Sequence, residues 1–250
     1  MKLSPRQAYL LVLFGCAFSA LTLCAGEPTV RPIALTGWNA DVIFEKGKAS
    51  SATSFDRPNQ RTNDYPLYAW FESGLEGHAD GLPVSRRFAS ASSGDVVFEL
   101  QPYDTNNVLL LTSAKPSGKL TLVEPAVCRS LFLLVAGGGG ESRGSLQLRF
   151  TDGTESASIP FAVPDWWTSF EGKVTKTPAI TGLGRSNGQN EFQYEEYGDN
   201  GFGLFQAKID LATAKLDSKL IESISLKKEG GGATAGIFAI SGERSKASGK

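Results

Sequence analysis

The chain has 250 residues and a formal net charge of -1, from 25 basic and 26 acidic residues. Because this balance leaves no basic excess to neutralise a phosphate backbone, we do not expect nucleic acid as a partner. Apolar residues make up 41% of the chain, which is enough for a sizeable core, and the length fits one β-sandwich of up to about 250 residues.

Residues 1–26 have the pattern of a secretory signal peptide. Lys2 and Arg6 form a basic start, residues 8–23 are almost wholly apolar, and small residues follow. The apolar run is short of the roughly 20 residues that a membrane span needs, and no cluster of charges follows it. We therefore expect cleavage after Ala25 or Gly26, no membrane span afterwards, and a secreted, periplasmic or cell-surface location.

We interpret residues 27–243 as one β-sandwich domain and residues 244–250 as a disordered tail of charged and small residues. Once the signal is removed, Cys128 is the last cysteine, so the mature chain has no intramolecular disulfide. Because Cys128 precedes the apolar run 131–136, we expect a buried small side chain there rather than a reactive thiol.

Apolar and polar residues alternate with period two along much of the chain, which is typical of strands with one buried face. Other runs are apolar on both faces and predict central strands. Residues 211–222 have some helical spacing, but we prefer strand, turn and strand there. The alternating runs lie within residues 96–101, 146–151, 159–163 and 205–211, and the fully apolar runs are residues 108–111, 131–136 and 237–240.

Catalysis has few candidates in this sequence. His78 is the single histidine and it lies in a glycine-rich loop, so we expect a loop histidine rather than a catalytic one. Glycoside hydrolysis needs only two carboxylates at a suitable separation, which sequence spacing does not fix. The candidate carboxylates are Glu72, Asp104, Asp152, Asp165, Glu195 and Glu196.

We expect no cofactor, with calcium as the one alternative. Glu195, Glu196 and Asp199 cluster in a loop that also contains glycine and asparagine, and calcium prefers such oxygen ligands. The EF-hand pattern is absent, and a solvated acidic loop is the simpler interpretation of the same residues.

Aromatic side chains near strand ends give the more useful functional signal. A sugar ring stacks its C–H face on a flat aromatic ring, while nearby amides and carboxylates bind its hydroxyl groups. Trp166 and Trp167 are adjacent, so in an extended chain one should enter the core and the other should face solvent. The candidate carbohydrate-binding residues are Asp165, Trp166, Trp167, Tyr103, Asn106, Tyr194 and Tyr197.

Five segments together resemble a pattern in exported bacterial β-sandwich proteins that are similar to galactose-binding-like jelly rolls, the fold of many carbohydrate-binding modules. The resemblance spans nearly the whole mature chain and implies an all-β, antiparallel β-sandwich with jelly-roll topology. It implies no catalytic residue, and Trp167 and residues 192–197 have no counterpart in the pattern. The segments are residues 38–43, 98–111, 150–154, 163–166 and 236–242.

The sequence therefore predicts an exported, non-catalytic protein that binds carbohydrate or a cell-surface glycoconjugate through loop aromatics and amides. Two alternatives stay open. One is a structural or adhesive surface protein that binds other protein, which an exposed hydrophobic patch without a groove would favour. The other is a glycan-cleaving enzyme, which needs two carboxylates in one cleft at a separation of about 5–10 Å.

Overall fold

The computed structural model describes residues 30–45, 54–56, 68–167, 169–170, 173–174, 177–187, 192–195 and 201–244. The predicted signal peptide, residues 1–26, and residues 245–250 of the predicted tail lie outside the described residues. Within the described part the regular structure is almost wholly strand, with one 3₁₀ turn at Leu75–Gly77. The strands are β1 (Val30–Pro32), β2 (Leu35–Thr36), β3 (Ile43–Phe44), β4 (Trp70–Phe71), β5 (Arg87–Ser90), β6 (Ser93–Glu99), β7 (Leu109–Thr112), β8 (Ser117–Ala126), β9 (Cys128–Gly138), β10 (Ser142–Phe150), β11 (Ile159–Val163), β12 (Ser169–Phe170), β13 (Lys173–Val174), β14 (Ile180–Leu183), β15 (Arg185–Ser186), β16 (Tyr194–Glu195), β17 (Phe202–Asp210), β18 (Ile221–Gly231) and β19 (Thr234–Arg244).

Two antiparallel sheets form the body of the protein. The first sheet has the order β19-β9-β17-β14, with β7 and β1 both paired to the other edge of β19. The second sheet has the order β11-β10-β18-β8-β2. The chain crosses between the sheets from β8 to β9, from β9 to β10, and on both sides of β18. The predicted all-β, antiparallel β-sandwich is confirmed.

The two sheets enclose the main core. Leu133 and Val135 of the first sheet and Leu146 and Leu148 of the second are fully buried in this core. Their neighbours in sequence face the opposite way because side chains alternate along a strand. Cys128 belongs to the same core, and burial raises the pKa of its thiol to about 11. The predicted burial of Cys128 is confirmed.

A second core covers the outer face of the first sheet. Phe132 and Leu134 of β9 and Phe238 of β19 are buried there against Trp70 and Phe98. The last two residues belong to β4 and β6, which lie over this face of the sheet together with the segments that lead into them. Because both faces of the first sheet are covered, its strands are apolar on both sides, as predicted for residues 108–111, 131–136 and 237–240.

The predicted turn within residues 211–222 lies between β17 and β18. Residues 211–220 contain turns and no helix, so the preferred interpretation of strand, turn and strand is confirmed. The hairpin after β10 turns at Gly153, whose φ of 81° is in the left-handed region that glycine adopts without strain. The last strand continues to Arg244, so residue 244, assigned above to the tail, belongs to the sheet.

Candidate functional site

The two adjacent tryptophans after β11 point in opposite directions. Trp166 is 1% exposed and packs in the second core, with its ring centroid 5.1 Å from that of Trp70. Trp167 is 42% exposed. The expectation that one ring is buried and the other faces solvent is confirmed, and the structure assigns Trp167 to the outside. Since Trp166 is enclosed, Trp167 alone of the pair offers a ring to a ligand.

Trp167 lies beside a buried arginine. The guanidinium carbon of Arg185 is 5.8 Å from the centroid of the Trp167 ring, 4.6 Å from that of Phe202 and 4.0 Å from that of Tyr68. Arg185 Nε donates a hydrogen bond of 2.7 Å to Glu195 Oε2. We call these five residues the aromatic corner. It combines one exposed ring with a cation and a carboxylate that are held in fixed positions.

Asp165 lies next to the aromatic corner, two residues before Trp167 in the sequence. Its Oδ1 accepts a hydrogen bond of 3.2 Å from the backbone N–H of Trp167. Burial raises the pKa of Asp165 above its ordinary value, and the nearby charges of Asp56 and Glu141 act in the same direction. Its position is further fixed by the parallel bridge that it forms with Gly137 of β9. Asp165 therefore orients the segment that carries Trp167.

Tyr103 and Asn106 have structural contacts at a different loop. Tyr103 is 5% exposed and its hydroxyl donates to the carbonyl of Pro83 at 2.8 Å. Burial raises the pKa of this phenol well above its ordinary value. The exposed Asn106 donates from Nδ2 to the carbonyl of Trp38 at 3.3 Å. The Tyr103 ring is thus enclosed, and the structure does not bring these two residues into the aromatic corner.

The neighbouring Asn107 explains why this loop sequence is so rich in amides. Asn107 is fully buried, and its Oδ1 accepts from the backbone N–H of Val42 at 3.0 Å. Its Nδ2 donates to Asp41 Oδ1 at 2.6 Å and to the carbonyl of Tyr103 at 3.3 Å. The amide therefore joins the loop to the segment before β3. Part of the motif that resembled carbohydrate-binding modules serves this structural purpose.

Tyr194 is half-buried in a small aromatic cluster. Its ring stacks on His78 at a centroid distance of 3.6 Å, and its hydroxyl donates to Asp80 Oδ2 at 2.7 Å. His78 is accordingly a partly buried packing residue, where a solvated loop residue was expected. Tyr197, which was predicted to act with Tyr194, lies outside the described residues.

The calcium expectation concerns three acidic residues, of which the structure describes one. Glu195 belongs to β16, and its carboxylate is bound to Arg185. Glu196 and Asp199 lie outside the described residues. In the described ranges, no group of three or more His, Cys, Asp or Glu side chains is arranged to hold a metal ion.

Two of the candidate carboxylates meet in one depression. Glu72 and Asp104 both line a hollow of about 360 Å³, together with Glu45, Arg86 and Tyr103. The other candidates that the structure describes do not line this hollow. Asp152 is an exposed hairpin residue whose Oδ2 accepts from Lys219 at 3.2 Å. Glu195 belongs to the aromatic corner, and Asp165 accepts from the backbone of Trp167 next to it.

The sequence interpretation missed a polar groove of about 680 Å³ on the second sheet. Its walls come from strands that are far apart in sequence, so no local motif identifies it. The one available signal was the polar half of each alternating strand, which predicts an exposed face but not which strands stand side by side. Gly118, Leu146 and Leu226 also line it, and its polar lining residues are Ser117, Lys119, Ser145, Gln147, Ser158, Ser225, Lys227 and Glu229.

The comparisons with known proteins assign no function. No protein-family model matches the chain, and no curated protein matches it in sequence. Within the residues that the structure describes, no helix is long and apolar enough to cross a membrane. Functional conclusions therefore depend on the geometry of the surfaces above.

Proposed function

We propose that this protein is an exported, non-catalytic binding protein for carbohydrate, and that Trp167 is the stacking ring of its site. The main support for this proposal is that Trp167 is 42% exposed at a strand end, where its ring contacts Phe202 at a centroid distance of 5.6 Å. A ring supported from one side presents a flat, rigid face, and burying it against a sugar costs little side-chain entropy.

Polar groups around this ring suit the hydroxyl groups of a sugar. Glu195, whose side chain is 23% exposed, supplies carboxylate oxygens, and the buried Arg185 orients that carboxylate through their hydrogen bond. The partner we expect is a polysaccharide or a cell-surface glycoconjugate. The protein would bind it after export, as a secreted, periplasmic or cell-surface protein. The two-sheet architecture and the sequence motifs support a galactose-binding-like jelly roll as part of this proposal.

A glycan-array screen of the purified chain, with and without added calcium, tests the proposal. We expect retention of at least one glycan and a loss of about tenfold or more in Trp167→Ala, as for a removed stacking residue. Trp167→Phe keeps a flat ring and should keep most of the binding. Leu220→Ala is the matched control, because Leu220 is similarly exposed, at 46%, but lies in the turn before β18.

The proposal fails if the folded chain retains no glycan, or if Trp167→Ala and Leu220→Ala bind equally well. Calcium dependence that is abolished by Glu195→Gln would support the predicted acidic site. Binding that is indifferent to calcium would leave the carbohydrate proposal intact and remove the metal from it.

The shared hollow of Glu72 and Asp104 favours one second candidate, carboxylate-dependent glycan cleavage. Release of reducing ends from a bound glycan, lost in Glu72→Gln and in Asp104→Asn, would establish it. Asp152→Asn is the control, because Asp152 lies on a separate exposed hairpin. Absence of any released product from glycans that the chain binds would end this alternative.

A further inference from the structure

The polar groove on the second sheet is built by three adjacent strands in exact register. Ser145 of β10 stands opposite Lys227 of β18, which stands opposite Ser117 of β8. In the next row, Gln147 stands opposite Ser225, which stands opposite Lys119. We call this surface the serine groove.

These side chains face away from the core. Leu146 and Leu226, which alternate with them along β10 and β18, are buried between the two sheets. Side chains that alternate with a buried set point to the opposite face of a strand. In the first row the serines Ser145 and Ser117 flank Lys227, and in the second row Ser225 lies between the longer Gln147 and Lys119. This difference in length makes a hollow on the surface of the sheet.

The groove holds two ammonium groups against one carboxylate. Glu229 accepts hydrogen bonds from Ser145 Oγ at 2.7 Å and from Lys227 Nζ at 3.0 Å. These two hydrogen bonds lower the pKa of Glu229, with that from Ser145 contributing most. Lys119 is exposed and makes no ion pair with any residue that the structure describes. The groove therefore has one cation in excess, and its remaining groups are mostly hydroxyls and an amide.

We propose that the serine groove binds a saccharide that bears anionic groups, with Lys119 as the main contact to its carboxylate or sulfate. A volume of about 680 Å³ accommodates more than one sugar ring, and most pockets for small ligands span about 300–1,000 Å³. The hydroxyls of Ser117 and Ser225 can donate to and accept from sugar hydroxyls, whereas Ser145 Oγ, which donates to Glu229, can accept. Gln147 Nε2 donates to the carbonyl of Ser156 at 3.0 Å, and the amide has a second N–H and an oxygen for a ligand. Among the lining side chains none is aromatic, so affinity must come from hydrogen bonds and charge rather than from ring stacking.

This inference goes beyond the proposed function, because it uses another face of the molecule and a different kind of contact. Binding at the aromatic corner would use the Trp167 ring, whereas binding at the serine groove would use Lys119 and the other polar side chains of β8, β10 and β18. A substitution at one of these two surfaces should therefore leave binding at the other surface unchanged.

Isothermal titration calorimetry with an oligogalacturonate, a sulfated dextran and a neutral dextran of matched length tests the inference. We expect binding of at least one anionic saccharide, and about tenfold weaker affinity in Lys119→Ala, since a charge-assisted hydrogen bond is lost. The oligogalacturonate and the sulfated dextran show whether carboxylate or sulfate is recognised. The affinity should fall with added salt because exposed charges are screened.

Two further variants separate a built site from general attraction between charges. Ser225→Phe fills the groove without changing its charge, and an exposed strand position tolerates an aromatic residue. It should abolish binding. Lys208→Ala removes another exposed lysine, from the first sheet, and should leave binding unchanged, as should Trp167→Ala.

Three outcomes would overturn the inference. They are failure of the folded chain to bind either anionic saccharide, equal losses in Lys119→Ala and Lys208→Ala, and undiminished binding in Ser225→Phe. Loss of binding in Trp167→Ala with full binding in Lys119→Ala would transfer the anionic ligand to the aromatic corner and likewise contradict the role of the serine groove.

Discussion

Arg185 and Glu195 form a salt bridge of 2.7 Å in which the arginine side chain is 5% exposed and the glutamate side chain is 23% exposed. The pair joins β15 to β16 through the register Arg185↔Glu195. Tyr68 and Phe202 enclose the guanidinium from its other sides. An arginine so enclosed depends on its carboxylate partner, because a buried charge without compensation is costly.

We expect Glu195→Ala to lower the free energy of unfolding by about 3 kcal/mol, since it removes the carboxylate that is hydrogen-bonded to the buried Arg185 charge. Urea denaturation measures the change. The control is Glu222→Ala, because the Arg149–Glu222 pair is about half exposed on both sides and should contribute less than ~1 kcal/mol. Equal effects of the two substitutions would contradict the buried role of Arg185.

The adjacent tryptophans should differ sharply in their effects on stability. Trp166→Ala empties part of the second core and should cost about 3–5 kcal/mol of unfolding free energy. Trp167→Ala should cost about 1 kcal/mol or less, because that ring is largely on the surface. Thermal and urea unfolding of both variants checks this, and a Trp167→Ala variant that unfolds like Trp166→Ala would show that Trp167 is a core residue.

Neighbouring amides in the loop after β6 provide a second matched pair. Asn107→Ala removes hydrogen bonds to Val42 and Asp41 and leaves buried backbone groups without partners, at a cost of about 1–3 kcal/mol. Asn106→Ala should change stability by about 0.5 kcal/mol or less, since that side chain is exposed. Similar unfolding midpoints for the two variants would refute the structural role of Asn107.

Stability around Asp165 should depend on pH in a direction set by its raised pKa. Burial is the main cause, and Asp56 and Glu141 add to it, while hydrogen bonds from the Trp167 and Gly140 backbone oppose it. A carboxyl whose pKa is raised by folding favours the folded state below its unfolded pKa, and this advantage is lost as pH rises through the folded value. Asp165→Asn should therefore gain stability relative to the parent as pH rises from about 3.9, the ordinary value for aspartate, to neutrality.

Asp152 provides the control of opposite sign. Hydrogen bonds from the side chain and backbone of Thr154, followed by the contribution of Lys219, lower the pKa of Asp152 to about 2. Its contribution to stability is present at neutral pH and is lost as pH falls through about 2. Asp152→Asn should be destabilising at neutral pH, with a difference that disappears in strong acid. Thermal melts of both variants between neutral and acidic pH measure the two trends, and trends of the same sign would contradict the assignment.

Much of the architecture was predictable from local patterns. Alternation over residues 146–151 indicated a strand with one buried face because side-chain direction repeats every second residue. The wholly apolar run 131–136 indicated a strand covered on both faces, which the second core explains. The split of Trp166 and Trp167 also followed from this alternation, although the sequence did not show which of them was exposed.

The candidate sites were less predictable because they depend on residues that are distant in sequence. Tyr103 was expected to be an exposed loop ring, but it is buried and its hydroxyl donates to the carbonyl of Pro83. No local sequence pattern indicates that the segment containing Pro83 packs against this loop. Arg185 was missed since an arginine gives no sign in sequence that aromatic rings will surround it. His78 gained its stacking partner, Tyr194, in the same way.

The sequence alone determined that this protein is built of strands, which strands have one buried and one exposed face, and where turns interrupt them. These properties follow from periodicity and backbone preference within a few residues. The tertiary structure decided which strands became neighbours, and hence that Lys119, Ser225 and Gln147 form one row across the second sheet. Strand order is set by the combined burial of two cores, which are built from strands far apart in sequence, so no single segment encodes the surfaces that result.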